Sequence, residues 1–110
     1  MASNYKVLGQ SNPSAANLTD CYTVPASTQA VVSSVLVANR SSTATSFRLS
    51  VAVAGAADSN EQYIAYDTVI AGNDVIDFTI GGTLDTADVV RVYATDATLS
   101  FNIFGEEITP

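Results

Sequence analysis

Residues 45–54 (TSFRLSVAVA) alternate with period two. Phe47, Leu49, Val51 and Val53 fall on one side, and Ser46, Arg48, Ser50 and Ala52 on the other. A repeat of two belongs to a β-strand with one buried face, whereas a helix would repeat near 3.6. The stretch before it, residues 30–39 (AVVSSVLVAN), is apolar on both sides. Val31, Val35 and Val37 share a face with Ser33, and Val32, Leu36 and Ala38 share the other with Ser34, so this strand is expected to be covered on both. The link RSSTA at residues 40–44 is short and polar. Together the two stretches predict a long antiparallel hairpin at the centre of a small all-β domain.

The rest of the chain reads the same way. Residues 4–10 (NYKVLGQ) form a first, short edge strand, followed by a loop around Pro13, which removes a backbone donor. Residues 18–24 (LTDCYTV) alternate, with Leu18, Tyr22 and Val24 on one side, and Pro25 ends the run because proline cannot continue a ladder. After a loop at 55–60, residues 61–70 (EQYIAYDTVI) make a strand carrying Tyr63 and Tyr66. Ala71, Gly72, Asn73 and Asp74 make a tight turn, since Gly and Asn accept positive φ. Residues 75–80 place Ile76, Phe78 and Ile80 on one face, and 81–87 (GGTLDTA) read as a flexible link. Residues 88–95 and 98–104 are expected to pair as a closing hairpin across Asp96 and Ala97, with Leu99, Phe101 and Ile103 on one side and 105–110 as a tail. About eight strands at sandwich-like spacing, with no βαβ alternation, predict one antiparallel β-sandwich domain over residues 1–110, jelly-roll-like.

A chain of 110 residues, 47% of them hydrophobic and mostly Ala and Val, can bury a thin core of the kind two packed sheets need. Its net charge is −7. That disfavours nucleic acid, which needs a basic stripe to displace counterions, and equally an anionic membrane surface. Cys21 is the sole cysteine, which rules out an internal disulfide, and its apolar setting predicts a buried, inert thiol. The first residues lack a basic segment followed by an apolar run, so no signal peptide is expected and the chain is expected to fold in a cytoplasm.

The residues offer little reactive chemistry. There is no histidine, so every His-dependent triad is excluded, and a Ser–Lys pair would have to use Lys6 in a terminal strand. The carboxylate pairs Asp74/Asp77, Asp85/Asp88 and Glu106/Glu107 lie in turns and at strand ends, where solvation is expected in place of the apolar cleft acid–base catalysis needs. Zinc has no ligand set. Asp58–Glu61 and Asp85–Asp88 could each lend oxygens to calcium but have no calcium-loop spacing. Gly81 and Gly82 have no lysine nearby to hold a phosphate. No enzyme activity, cofactor or metal is expected. Five tyrosines without a tryptophan suit a wet protein interface better than a sugar platform. Strands apolar on both faces (30–38, 75–80 and 88–93) predict contact with copies of the chain or with a larger body.

Three pieces of the chain carry a resemblance: 22–48 (YTVPASTQAVVSSVLVANRSSTATSFR), 62–67 (QYIAYD) and 99–106 (LSFNIFGE). In this order they resemble small virion proteins encoded among the head and tail genes of tailed phages. The resemblance implies a capsid decoration, or cement, protein: a small β-sandwich, typically a homotrimer, that sits on the outer shell, binds the major capsid protein and needs no cofactor. A tail, baseplate or fibre module, or a glycan-binding host-attachment module of the same fold, stays open beside it. The interface residues expected on this reading are Arg40 and Arg48, for two-pronged bonds to carboxylates, with Tyr63 and Tyr66.

Overall fold

A computed structural model describes every residue from Met1 to Pro110. The strands are β1 (Ala2–Ser11), β2 (Thr19–Thr23), β3 (Gln29–Asn39), β4 (Thr45–Ala52), β5 (Tyr63–Ile70), β6 (Val75–Phe78), β7 (Gly82–Leu84), β8 (Val89–Ala94) and β9 (Leu99–Thr109). They form two antiparallel sheets. The first runs β1-β9-β3-β6, with β7 also beside β3; the second runs β2-β8-β4-β5. β6 lies against Val35–Ala38 and β7 against Ala30–Val32, so these two short strands are the halves of one interrupted edge. The pairing is nested: first strand with last, β2 with β8, β3 with β6 and β7, β4 with β5. Four nested pairs dealt alternately to two facing sheets make a jelly roll. The expected sandwich is therefore present, with its eight strand positions, and β1 is an edge strand as the sequence predicts.

The two expected hairpins are not. β3 and β4 lie in opposite sheets, and so do β8 and β9. Residues 40–44 and 95–98 turn corners between the layers, which stand about 10 Å apart, a distance a few extended residues span. Alternation reports which face of a strand is buried and is silent on its neighbour. β4 and β9 both aim their apolar faces at one core, from opposite sides. Phe47 of β4 meets Phe101 of β9 and Phe78 of β6 edge-on, with ring centroids 6.1 and 5.9 Å apart.

The expected double-sided burial of β3 is also corrected. Its register against β9 slips between Val32 and Ser34, which makes Ser33 an extra residue. Ala30 and Val32 point inward before this bulge, and Val35, Val37 and Asn39 after it. One inserted residue swaps the faces, so Val31 does not share a side with Val35 and Val37. Smaller departures have equally local causes. β7 arises inside the supposed link at 81–87, and the supposed tail belongs to β9. Residues Asn60–Gln62 form a 3-10 turn ahead of β5. β4 stops at Ala52, leaving Val53 exposed in a second such turn, and a register slip at Cys21 leaves Leu18 on the surface.

The core comprises 18 residues, with Phe47, Leu49, Ile70, Leu99, Phe101 and Ile103 fully enclosed. Burying each side chain of this size is worth about 1.5–3 kcal/mol. One end of the sandwich is closed by Asn39, a buried amide. Its Nδ2 donates to the carbonyls of Thr43 (2.9 Å) and Ala71 (3.2 Å), while its Oδ1 accepts from the Ser41 amide (3.1 Å) and the Thr98 hydroxyl (3.2 Å). This one side chain ties together the corners after β3, β5 and β8.

Candidate interaction surface

Arg48 projects from the outer face of the second sheet, between the inward residues Phe47 and Leu49. Register places Tyr93 of β8 directly opposite it. On its other side, β5 carries a bulge: Phe47 pairs with Thr68 and Leu49 with Ala65, so the single residue Arg48 faces the two residues Tyr66 and Asp67. Asp67 takes φ 48°, a left-handed conformation that aspartate tolerates better than most residues. The bulge thus turns both side chains toward Arg48.

The guanidinium carbon lies 4.2 Å from the centroid of Tyr66 and 4.3 Å from that of Tyr93. The cation is therefore stacked between two π faces. Arg48 Nε donates to Asp67 Oδ1 at 2.7 Å. That bond raises the guanidinium pKa above its already high ordinary value. Tyr63 packs edge-on to Tyr66, 4.9 Å away, and its hydroxyl donates to Asp58 at 2.7 Å. Desolvation, and then that hydrogen bond, hold the Tyr63 phenol protonated above its usual range. Tyr66 is 56% exposed and leaves a broad aromatic surface in water.

Of the four interface residues expected from sequence, the structure brings Arg48, Tyr63 and Tyr66 together and places Arg40 elsewhere. Arg40 lies at the corner end, donating to Asn12 Oδ1 (2.8 Å) and the Ala97 carbonyl (3.1 Å). Sequence reasoning missed Tyr93 and Asp67 as members of the cluster. Tyr93 becomes Arg48's neighbour only through the β4–β8 pairing, and Asp67 only through the bulge. The tyrosine pair beside an aspartate, YIAYD, was the one available signal.

The other cations are also held within the chain. Arg91 bonds Asp20 (3.0 Å) and the carbonyls of Ala56 (2.7 Å) and Gly55 (3.2 Å), pinning the β4–β5 loop over the sheet. Lys6 pairs with Glu107 at 3.0 Å. Glu107 also accepts the Tyr22 hydroxyl at 2.7 Å. The Tyr22 bond, and secondarily Lys6, hold the Glu107 carboxyl below the usual carboxylate range, while burial and that same carboxylate push the Tyr22 phenol far up.

Two carboxylates therefore depart from the expected solvation. Glu107 has a side chain only 14% exposed, and Asp88 is buried, accepting from the amides of Ala54 and Asp85, both at 2.8 Å. Asp88 shapes two turns. No three metal-ligating side chains gather anywhere in the chain. Cys21 is half-buried, and desolvation pushes its thiol up to about 11, so it is neutral at pH 7.

The first sheet offers a second outward face. Val7 pairs with Phe104 in the row that continues to Ser34, and all three point away from the core. Tyr5, Val7, Phe104 and Val75 are exposed there. None of the molecule's concavities takes in Arg48, Tyr63 or Tyr66. No family model, curated protein or solved structure matches this chain.

Proposed function

We propose that this chain is a structural protein of a tailed-phage virion, a capsid decoration protein that docks on the outer shell and bridges neighbouring capsomers as a homotrimer. The observation that carries this reading is the Arg48–Tyr66–Tyr93 stack. Arginine and tyrosine are the residues on which interface energy concentrates. Here they stand pre-ordered on a sheet face outside every concavity, which suits a macromolecular surface better than a small ligand. Pre-ordering matters because an arginine already locked by two rings loses little further freedom on binding.

The exposed apolar side chains of the opposite sheet supply a second contact, which a bridging protein requires. A standard interface takes about 800 Å² per partner, roughly a seventh of the 5557 Å² this molecule exposes. Many modest contacts repeated over a shell add up through avidity. The charge balance supports a neutral or basic target, since all four cations are engaged within the chain while the acids outnumber them eleven to four. The resemblance of the YTVP, VANRSST and SFNIFG segments to small phage virion proteins points the same way. No catalytic step is assigned, and the proposed location is the assembled particle.

The test is a binding assay on shells that lack the protein. Wild-type chain binds, and Tyr66→Ala and Arg48→Ala each weaken binding about tenfold or more; undiminished binding by both variants removes this face from the interface. A tail or baseplate module shares the fold and is separated by copy number. A second reading, glycan attachment, draws on the Tyr63–Tyr66 pair standing beside Asp58 and Asp67. A sugar array separates it: saturable binding that Tyr66→Ala abolishes supports attachment, and a silent array removes it.

A further inference from the structure

The two sheets have four edges, and three of them are blunted. β6 and β7 are only four and three residues long. β2 has five residues and a register slip at Cys21. β5 is interrupted by the bulge in which Asp67 takes a positive φ. Short strands and bulges of this kind discourage an incoming strand. The edge of β1 has neither over Ala2–Val7. These residues pair with β9 in unbroken register, include no proline, and are all exposed. Every backbone bond of β1 goes to β9, so the alternate N–H and C=O groups on its other side have no partner in the chain. At Gly9 the edge closes, where the strand lies against the Cys21 carbonyl of β2. Lysine is a common guard of an open edge, but Lys6 is drawn back onto Glu107 of β9.

We propose that Ser3–Val7 pairs antiparallel with the same segment of a second copy, about a two-fold axis at Tyr5, joining the first sheets of the two copies into one. Charge selects both the edge and its occupant. Copies carrying −7 each repel one another. The strands β2, β5 and β6 add Asp20, Asp67 and Asp77 at their edges, whereas β1 carries no acid. It is the long edge on which copies can approach, and a two-fold contact sets it against itself. The side chains fix the register. With Tyr5 opposite Tyr5, Asn4 meets Lys6 and Ser3 meets Val7. Tyr5 is 81% exposed and gains an aromatic cross-strand partner. An axis at Lys6 would set two cations face to face, and one at Asn4 would leave Tyr5 opposite Ser3. Five residues a side bury less than the standard interface of about 800 Å² per partner, so a dissociation constant between about 1 μM and 1 mM is expected. The contact stands apart from the Arg48 face and does not depend on the docking role.

The experiment records amide NMR spectra and sedimentation of the whole chain from about 10 μM to about 1 mM. Concentration-dependent shifts are expected at residues 3–7, with a matching rise in sedimenting mass. Tyr5→Lys puts like charges directly opposite one another at a largely exposed position. It should keep the fold and weaken association about tenfold or more. Val69→Lys, at a position 70% exposed on β5, should leave association as it is. Shifts centred on β5, association that Tyr5→Lys leaves intact, or equal weakening by both variants overturns the proposal. A chain still monomeric at about 1 mM also overturns it, and assigns the edge to a strand of another protein.

Discussion

Arg48 shows how much a single side chain can organise on a sheet surface. Its planar cation is matched to two rings and a carboxylate, and lysine reproduces the charge without the shape. Arg48→Lys should therefore lower the free energy of unfolding by about 0.5–1 kcal/mol, the part of the stacking and carboxylate bonding that depends on the planar guanidinium. Urea denaturation checks this, and an unchanged midpoint would mean that the stack is not formed in solution. At the same scale, Glu107 is held ionised by Tyr22 and Lys6. Its lowered folded pKa means that its contribution is complete above the ordinary carboxylate value, about 4.3. The contribution disappears as pH falls through the still lower folded value. Tyr22→Phe should cost about 1.5 kcal/mol at pH 7, and its difference from wild type should shrink as the solution is taken to pH of about 3. A gap that stays constant with pH would show that the bond to Glu107 is not its source.

At the scale of elements, most strands could be read from the residues, β7 and the end of β9 excepted, and the way they meet could not. Phe47, Leu49 and Val51 announce β4, and Leu99, Phe101 and Ile103 announce β9, because alternation is imposed by burial on one face. The bulges at Ser33 and at Tyr66–Asp67 have no comparable signature. Each is a local slip against a partner strand, and the partner comes from elsewhere in the chain. The site inherits that division. Arg48, Tyr63 and Tyr66 are evident as chemistry, whereas Tyr93 and Asp67 join them only through pairing. The corners show the same limit, since RSSTA looks like a hairpin turn until Asn39 is seen bonding three loops at once. Asn39→Ala should cost about 3 kcal/mol, because it strands buried donors and acceptors at the end of the sandwich. Gly72→Ala tests the neighbouring corner. A Cβ there would collide with the Ser42 carbonyl, an atom of the backbone that cannot swing aside. A loss of about 1–3 kcal/mol is expected in thermal or urea melts, and a neutral outcome would mean that the corners pack more loosely than described.

At the scale of the whole molecule, the chain is a thin jelly roll, with extents of 45 × 27 × 20 Å and one outward sheet face on each side. Its acids lie mostly at loops and edges, its cations are satisfied internally, and its one organised surface cluster is built from the residues that dominate protein interfaces. A body of this kind can act by position and number. The direct test of the proposed virion role is the stoichiometry of this chain in purified phage particles, by quantitative mass spectrometry against the major capsid protein. The account predicts a copy number that is a sizeable fraction of that of the capsid protein. A handful of copies per particle would move the chain to the tail, and its absence from the particles would contradict the structural role altogether.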